Sequence, residues 1–255
     1  MAHLDVSDSI ATLILDAEGS VLRRQDWEQI GEAVQTFNAQ SELSVLVVTS
    51  SKADFCLGAD VSDVRFEHAN ADAGAAFRRM TRAVLETLSS VPKPTIAVLR
   101  GGCRGGGCAV ATACDIRIGD DTTYFEISAA AMGLVYPLVS TRLLVDVVGP
   151  SCAKRLLLEA ARVEAHEALR LRLLDELVAP NELELRAMAL ATRVGGLPAA
   201  SHRAHKEFVA RIAEGRRAEA AETRDVEAAG YSTVDFVAAS SRPDAVPGTS
   251  GETNA

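Results

Sequence analysis

Five of the seven residues from 101 to 107 (GGCRGGG) are glycine. The run stands between TIAVL at 95–99, short and rich in β-branched residues, and CAVATAC at 108–114. A segment apolar on every side reads as a helix buried in a core. Consecutive glycines ahead of it permit a tight turn and a close approach by another backbone or by a ligand. Strand, glycine turn and buried helix, in that order, predict an α/β domain with right-handed crossovers.

The same alternation recurs upstream. Residues 9–15 (SIATLIL) and 44–49 (SVLVVT) read as strands bounded by polar clusters. Between them Trp27, Ile30, Val34 and Phe37 recur at helical spacing over residues 26–37, with Asp26 expected as N-cap and Gln29 completing a capping box. Residues 73–88 repeat the pattern through Phe77, Met80, Val84 and Leu88, and Val91-Pro92-Lys93-Pro94 then breaks the chain. After the buried helix, residues 115–118 read as the next strand. Beyond Gly133 the texture is helical. Gly149-Pro150 is expected to end one helix and start another at Ser151, and Asn181 with Glu184 to cap a helix that runs to Val194. The division expected is a core over 1–195, a helical region over 196–240 and a polar, disordered tail over 241–255.

A chain of 255 residues buries enough surface to need no covalent staple. Its formal charge of −9 argues against nucleic acid and anionic membrane surfaces as partners. No apolar run approaches the roughly 18 residues of a membrane span, and the start lacks the pattern of a secretory leader. A cytoplasmic location is expected. The five cysteines (Cys56, Cys103, Cys108, Cys114 and Cys152) include no C-x-x-C pair, so buried thiols are expected rather than a zinc site.

Several site motifs are absent: G-x-S-x-G, the phosphate loop G-x-x-x-x-G-K-[ST], H-E-x-x-H, and G-x-G-x-x-G within the glycine run. Two loops stand out instead. Asp54-Phe55-Cys56-Leu57-Gly58-Ala59-Asp60 follows a strand directly, and the glycine run 101–107 lies between a strand and a buried helix. Two such loops, each offering a backbone N–H, suit an oxyanion hole. The same glycines equally suit a tight turn and a close helix–strand contact with no ligand at all.

Over residues 5–240 the sequence resembles the crotonase superfamily, the enoyl-CoA hydratase/isomerase family. The matching stretches are 45–60 (VLVVTSSKADFCLGAD), 91–115 (VPKPTIAVLRGGCRGGGCAVATACD), 125–144 and 149–178. The resemblance implies a spiral of ββα units followed by a helical C-terminal trimerisation region, giving a homotrimer or a dimer of trimers. It implies an acyl-CoA substrate, with coenzyme A carried by the substrate and no separate cofactor or metal. Two backbone N–H groups, at Ala59 and Gly106 by motif position, would hold a thioester enolate. Lys52, Leu57, Asp60, Val61 and Lys206 fall where the family contacts coenzyme A, and Arg23 and Arg24 are further candidates for its phosphates.

Departures from the family pattern accompany the match. Hydratases carry one Glu right after Gly-Gly-Gly-Cys and a second four residues before the Gly of Leu-Gly-Leu-x-Pro; here these positions are Ala109 and Ala129. Hydration needs a positioned acid and base, and alanine is neither. The segment 125–144 (FEISAAAMGLVYPLVSTRLL) resembles methylmalonyl-CoA decarboxylase in part, with Ser128 and Tyr136 at its hydroxyl and Tyr positions. Asp60, Asp63, Glu67, Glu126 and Asp146 are the remaining carboxylates weighed as substitutes. Enzyme and non-catalytic acyl-CoA binder both remain open at this point.

Overall fold

The computed structural model describes residues 1–60, 62, 63, 65, 69–213 and 215. Val61, Glu67 and the tail expected over 241–255 lie outside them. The chain forms two compact units, Met1–Gly196 and Leu197–Ala255.

The first unit is built on a six-stranded sheet ordered β1-β2-β3-β4-β6-β9. Its strands are β1 (Ala2–Ser7), β2 (Ile10–Leu15), β3 (Val45–Thr49), β4 (Thr95–Leu99), β6 (Ile116–Asp120) and β9 (Glu176–Val178). The β1–β2 hairpin is antiparallel, and every later pairing in this sheet is parallel. Strands β5 (Gly102–Arg104), β7 (Tyr124–Glu126) and β8 (Val163–Glu164) form a second, smaller sheet. The α-helices described in the unit are α1 (Arg24–Ala39), α2 (Ala71–Ser89), α3 (Gly106–Ala113), α4 (Leu138–Glu159), α5 (Ala165–Arg170) and α6 (Leu183–Gly195). Two turns of the spiral each contribute one strand to each sheet and then a helix: β4–β5–α3 and β6–β7–α4.

Period-two alternation splits the sheet's apolar residues between two cores. Leu13, Leu46, Val48 and Leu99 face the larger one with α1 through α4. Val45, Val47, Ile96 and Val98 face the smaller one, covered by Leu183, Leu190 and Val194 of α6. A fully buried Leu or Val contributes about 1.5–3 kcal/mol by leaving water. Helix α1 meets α2 closely at Gly31, where a methyl group would stand 3.1 Å from Val84 Cγ2. Helix α3 is buried from Gly107 to Ala113, as its uniform apolarity demands.

Two caps differ from expectation. Helix α1 begins at Arg24, so Asp26 sits in its first turn rather than at the N-cap, and its carboxylate accepts the Arg23 N–H at 2.9 Å. Gln29 instead accepts the Ala2 N–H from the first strand at 2.9 Å. Helix α6 begins at Leu183 with Glu182 as its N-cap and no side-chain capping bond, while Glu184 pairs with Arg100 at 2.5 Å. The helical texture beyond Gly133 is also interrupted by β8 and β9, each too short to carry a periodic signal. At Gly149 (φ 76°, ψ 163°) α4 breaks its helical geometry, as Gly149-Pro150 predicts.

In the second unit α7 (Ala199–Ala213) is described, with Arg211 and Glu207 paired one turn apart at 2.5 Å. No described helix is long and apolar enough to cross a membrane.

Candidate active site

The two loops singled out in the sequence lie side by side because the first behaves as a strand. Phe55 N–H donates to Arg100 O (2.8 Å), Cys56 N–H to Gly102 O (2.9 Å) and Arg104 N–H to Cys56 O (2.8 Å), a parallel ladder against β5. On its other edge Leu57 N–H donates to Ser20 O (2.7 Å), Leu22 N–H to Gly58 O (2.7 Å) and Asp60 N–H to Leu22 O (3.0 Å). Residues 20–22, the first loop, β5, β7 and β8 thus stack as successive members of one layer.

That stacking brings Ala59 next to Gly106. A methyl group on Gly106 would stand 3.6 Å from the Ala59 nitrogen, and one on Gly58 would stand 3.3 Å from the Gly106 nitrogen. Gly58 holds φ +93°, a conformation that an L side chain rarely adopts. Neither the Ala59 N–H nor the Gly106 N–H has a protein acceptor among the described residues. Gly106 is also the first residue of α3, so its amide shares the positive end of a buried helix. Two free donors at one spot can receive one partly negative oxygen.

Close packing fixes both donors. Trp27 of α1 backs Gly106, with Cζ2 only 3.0 Å from where a methyl group would sit. At Gly107 a methyl group would stand 2.3 Å from Cys56 O, so no side chain fits between α3 and the first loop. Cys56, Cys103 and Cys108 fill the space beneath the loops, and Cys108 Sγ donates to Cys103 O at 2.9 Å. Burial pushes the Cys56 thiol up to about 12 and raises that of Cys103 as well, so both remain protonated packing groups.

Tyr136 reaches the same loop from the segment before α4. Its hydroxyl donates to Gly105 O at 2.9 Å, and burial holds the phenol above its usual range. Ser128 lies near the short turn Ala130–Met132, with its hydroxyl 4.0 Å from Met132 Sδ. Ala109 is buried one turn into α3, and Ala129 caps the turn at 130–132 half-buried. Glu126 pairs with Arg104 at 2.8 Å across the β5–β7 register. Asp146 is exposed on α4, and burial of part of its carboxyl raises its pKa.

Leu57 and Asp60 flank the donors along the first loop. The Ser62 hydroxyl and N–H, then the Arg23 guanidinium at 3.3 Å, hold the Asp60 carboxyl below its usual range. Asp63 accepts the Arg24 N–H at 3.2 Å. Lys52 stands 3.7 Å from Asp16 on an exposed turn after β3. Lys206 lies on α7, in the second unit. The sequence reading missed Trp27 and the Gly105 carbonyl as parts of this site. The first looked like ordinary helix core, and a carbonyl leaves no signal in a sequence.

A sequence model of the family described as enoyl-CoA hydratase/isomerase matches residues 19–234. A short-chain-enoyl-CoA hydratase from Clostridium acetobutylicum is 32% identical over 157 residues, 62% of this chain and 59% of that protein. The fatty acid oxidation complex subunit alpha of Idiomarina loihiensis is 29% identical over 188 residues, 73% of this chain and 26% of that protein. The chain thus spans less than two thirds of the length of either relative. Among solved structures, an enoyl-CoA hydratase/isomerase family protein from Hyphomonas neptunium superposes with a TM-score of 0.88 at 28% identity, covering 92% of this chain and 91% of that one. An enoyl-CoA hydratase/carnithine racemase from Magnetospirillum magneticum gives the same TM-score of 0.88 and 28% identity, covering 92% and 89%.

Proposed function

Since the chain belongs to the enoyl-CoA hydratase/isomerase family, we propose that it processes an acyl-CoA thioester whose carbonyl oxygen is received by the N–H groups of Ala59 and Gly106. The observation that carries this reading is the juxtaposition of two amides that lack any described protein acceptor. An enolate or oxyanion formed at the thioester gains charge on that oxygen, and one such donor is worth about 3 kcal/mol to the transition state. Lys52, Leu57, Asp60, Val61 and Lys206 are the proposed contacts of the coenzyme A moiety. No cofactor beyond the substrate's own coenzyme A is invoked.

The chemistry beyond enolate formation is not the ordinary hydration. At the two positions where hydratases carry Glu, Ala109 and Ala129 offer methyl groups. Glu126 is engaged by Arg104. A decarboxylation needs no base to begin, because loss of CO₂ itself generates the enolate that the two donors hold. A decarboxylase of a malonyl-CoA derivative is therefore the enzyme reading that these alanines favour, and a binder without turnover is the alternative they also permit. The C-terminal helices are proposed to assemble a homotrimer or a dimer of trimers, covering apolar side chains of α7 such as Val209 and Ile212, which are 67% and 70% exposed on the single chain.

Incubation with enoyl-, methylmalonyl- and β-ketoacyl-CoAs, read by mass spectrometry, tests the reading. Turnover of the methylmalonyl thioester alone selects the decarboxylase, and turnover of any thioester eliminates the binder. Saturable binding with no product selects the binder. No binding of any thioester overturns the acyl-CoA reading itself.

A further inference from the structure

We propose that Tyr136 is a positioning residue: its hydroxyl pins the Gly105–Gly106 peptide so that the Gly106 N–H faces the substrate oxygen. The inference rests on the acyl-CoA reading above and names what sets one of its two donors. The peptide unit is planar and trans, so the Gly105 carbonyl and the Gly106 N–H point in opposite directions. Fixing one fixes the other.

The carbonyl is held at two points. Tyr136 Oη donates to it at 2.9 Å. The Ala109 N–H, closing the first turn of α3, donates at 3.2 Å. The flanking residues supply no restraint of their own. Gly105, Gly106 and Gly107 are consecutive, and Gly105 adopts φ 46°, ψ −108°, outside the wells that a side chain would enforce. The Gly105 N–H is tied to Glu126 O at 2.9 Å, a bond that holds the preceding peptide and not the 105–106 peptide. A phenol at the carbonyl supplies what the missing side chains do not.

The hydrogen bond also acts through the amide electronically. A donor at the carbonyl oxygen draws density from the amide nitrogen and makes its N–H a stronger donor, a strengthening of about 10–30% per bond. The surroundings of Tyr136 suit this task. Its phenol sits among the buried thiols of Cys56, Cys103 and Cys108, with the Ser140 hydroxyl as a further hydrogen-bonding neighbour. A phenol keeps its proton near neutral pH, and burial raises its pKa further. Its one proton is engaged with Gly105, so Tyr136 acts through the peptide.

The test uses 2,4-hexadienoyl-CoA, a conjugated thioester whose absorption moves to longer wavelength as its carbonyl is polarised. In Tyr136→Phe the dissociation constant should change by less than about threefold, while the red shift at saturation falls by at least half, the split expected when orientation rather than contact is lost. Replacing Tyr136 with 3-fluorotyrosine keeps the fold and makes the phenol a stronger donor, and the red shift should increase. An unchanged shift at saturation in the Phe variant overturns the proposal. Where that variant does not fold, an unchanged shift in the fluorotyrosine protein overturns it. The amide ¹⁵N resonance of Gly106, followed without ligand, separates the two levels. If the parent protein gives no shift with the thioester, the acyl-CoA reading fails. The pin then stands on a changed Gly106 resonance in the variant, and falls if that resonance does not move.

Discussion

The Gly102 amide donates to the Asp54 carboxylate across 2.6 Å, joining the two loops at the end remote from Ala59 and Gly106. A methyl group on Gly102 would stand 3.0 Å from the same oxygen, so the contact leaves no room for a side chain or a bridging water. It anchors the ladder whose far end sets the separation of the two free donors.

Asp54→Ala should therefore destabilise the protein by about 2 kcal/mol, the cost of leaving a partly buried amide without its charged acceptor. Asp54→Asn keeps an oxygen in place and should cost less than half as much. Urea unfolding of the three proteins measures both, and equal midpoints for parent and alanine variant would refute the anchoring role.

Gly106→Ala places a methyl group 3.0 Å from Trp27 Cζ2 and 3.6 Å from the Ala59 nitrogen, in the space an incoming oxygen would use. The stability loss should be modest, about 1–3 kcal/mol for a local overpacking. Turnover of whichever thioester the panel identifies should fall by about 10²–10³-fold, the effect of losing one donor of this kind. A variant that keeps the parental rate would remove Gly106 from the site.

Hydration of crotonyl-CoA, followed as loss of the enoyl absorbance, should be lower than in an ordinary hydratase by about 10²–10⁴-fold for each missing acid or base. An ordinary rate in clean protein would mean that another carboxylate, such as Asp60 on the first loop or Glu126 beside Arg104, takes over the work of the absent pair.

Stability should decline on the alkaline side. Cys56 titrates at about 12 in the folded chain, above the ~8.5 of an exposed thiol, and Cys103 and Tyr136 are displaced in the same direction by burial. The folded state therefore keeps protons that the unfolded state releases. This contribution is complete below the unfolded pKa and is lost as pH rises toward the folded one. Urea midpoints measured from pH 8 upward should fall progressively above about pH 9. The slope should become shallower in Cys56→Ala, and an unchanged slope would show that Cys56 does not contribute to it. Native alkylation should modify Cys152, the half-exposed cysteine, ahead of the four buried ones.

Much of the spiral was legible in the sequence because three of its main-sheet strands, β2 (IATLIL), β3 (VLVVT) and β4 (TIAVL), are mostly apolar runs of five or six residues between strong breakers. Thr95–Leu99 lies between Pro94 and the Arg100-Gly101 turn, and the structure begins and ends β4 there. Strand β1, the hairpin partner of β2, was not legible, since four of its six residues are exposed and Asp5 among them carries charge. Nor was β9, three residues whose pairing with β6 is decided by the sheet rather than by local preference. At the site, the glycine spacing marked where a backbone must come close. It did not reveal that Trp27, some 80 positions upstream of Gly106, supplies the wall there, because a tryptophan at helical spacing reads the same whether it packs against a core or a functional loop. The position of Tyr136 was legible, but its hydrogen-bond partner was not, since the partner is a main-chain carbonyl.

The layered ladder through residues 20–22, 54–60 and 102–104 makes segment length, more than residue identity, the property these loops cannot vary. Each residue advances a strand by about 3.3 Å. One residue inserted between Cys56 and Ala59 would displace the Ala59 amide by roughly that distance, as much as a whole hydrogen bond. It would also turn the following side chains to the opposite face. Insertions and deletions in such a chain belong at the rim, for example in the β1–β2 turn at Asp8, where the backbone already holds φ 52° without a glycine. The spacing from Cys56 to Asp60, and from Gly102 to Gly106, is thereby a ruler built into the backbone: a homologous chain that changes either count has surrendered the paired donors, whatever its side chains still resemble.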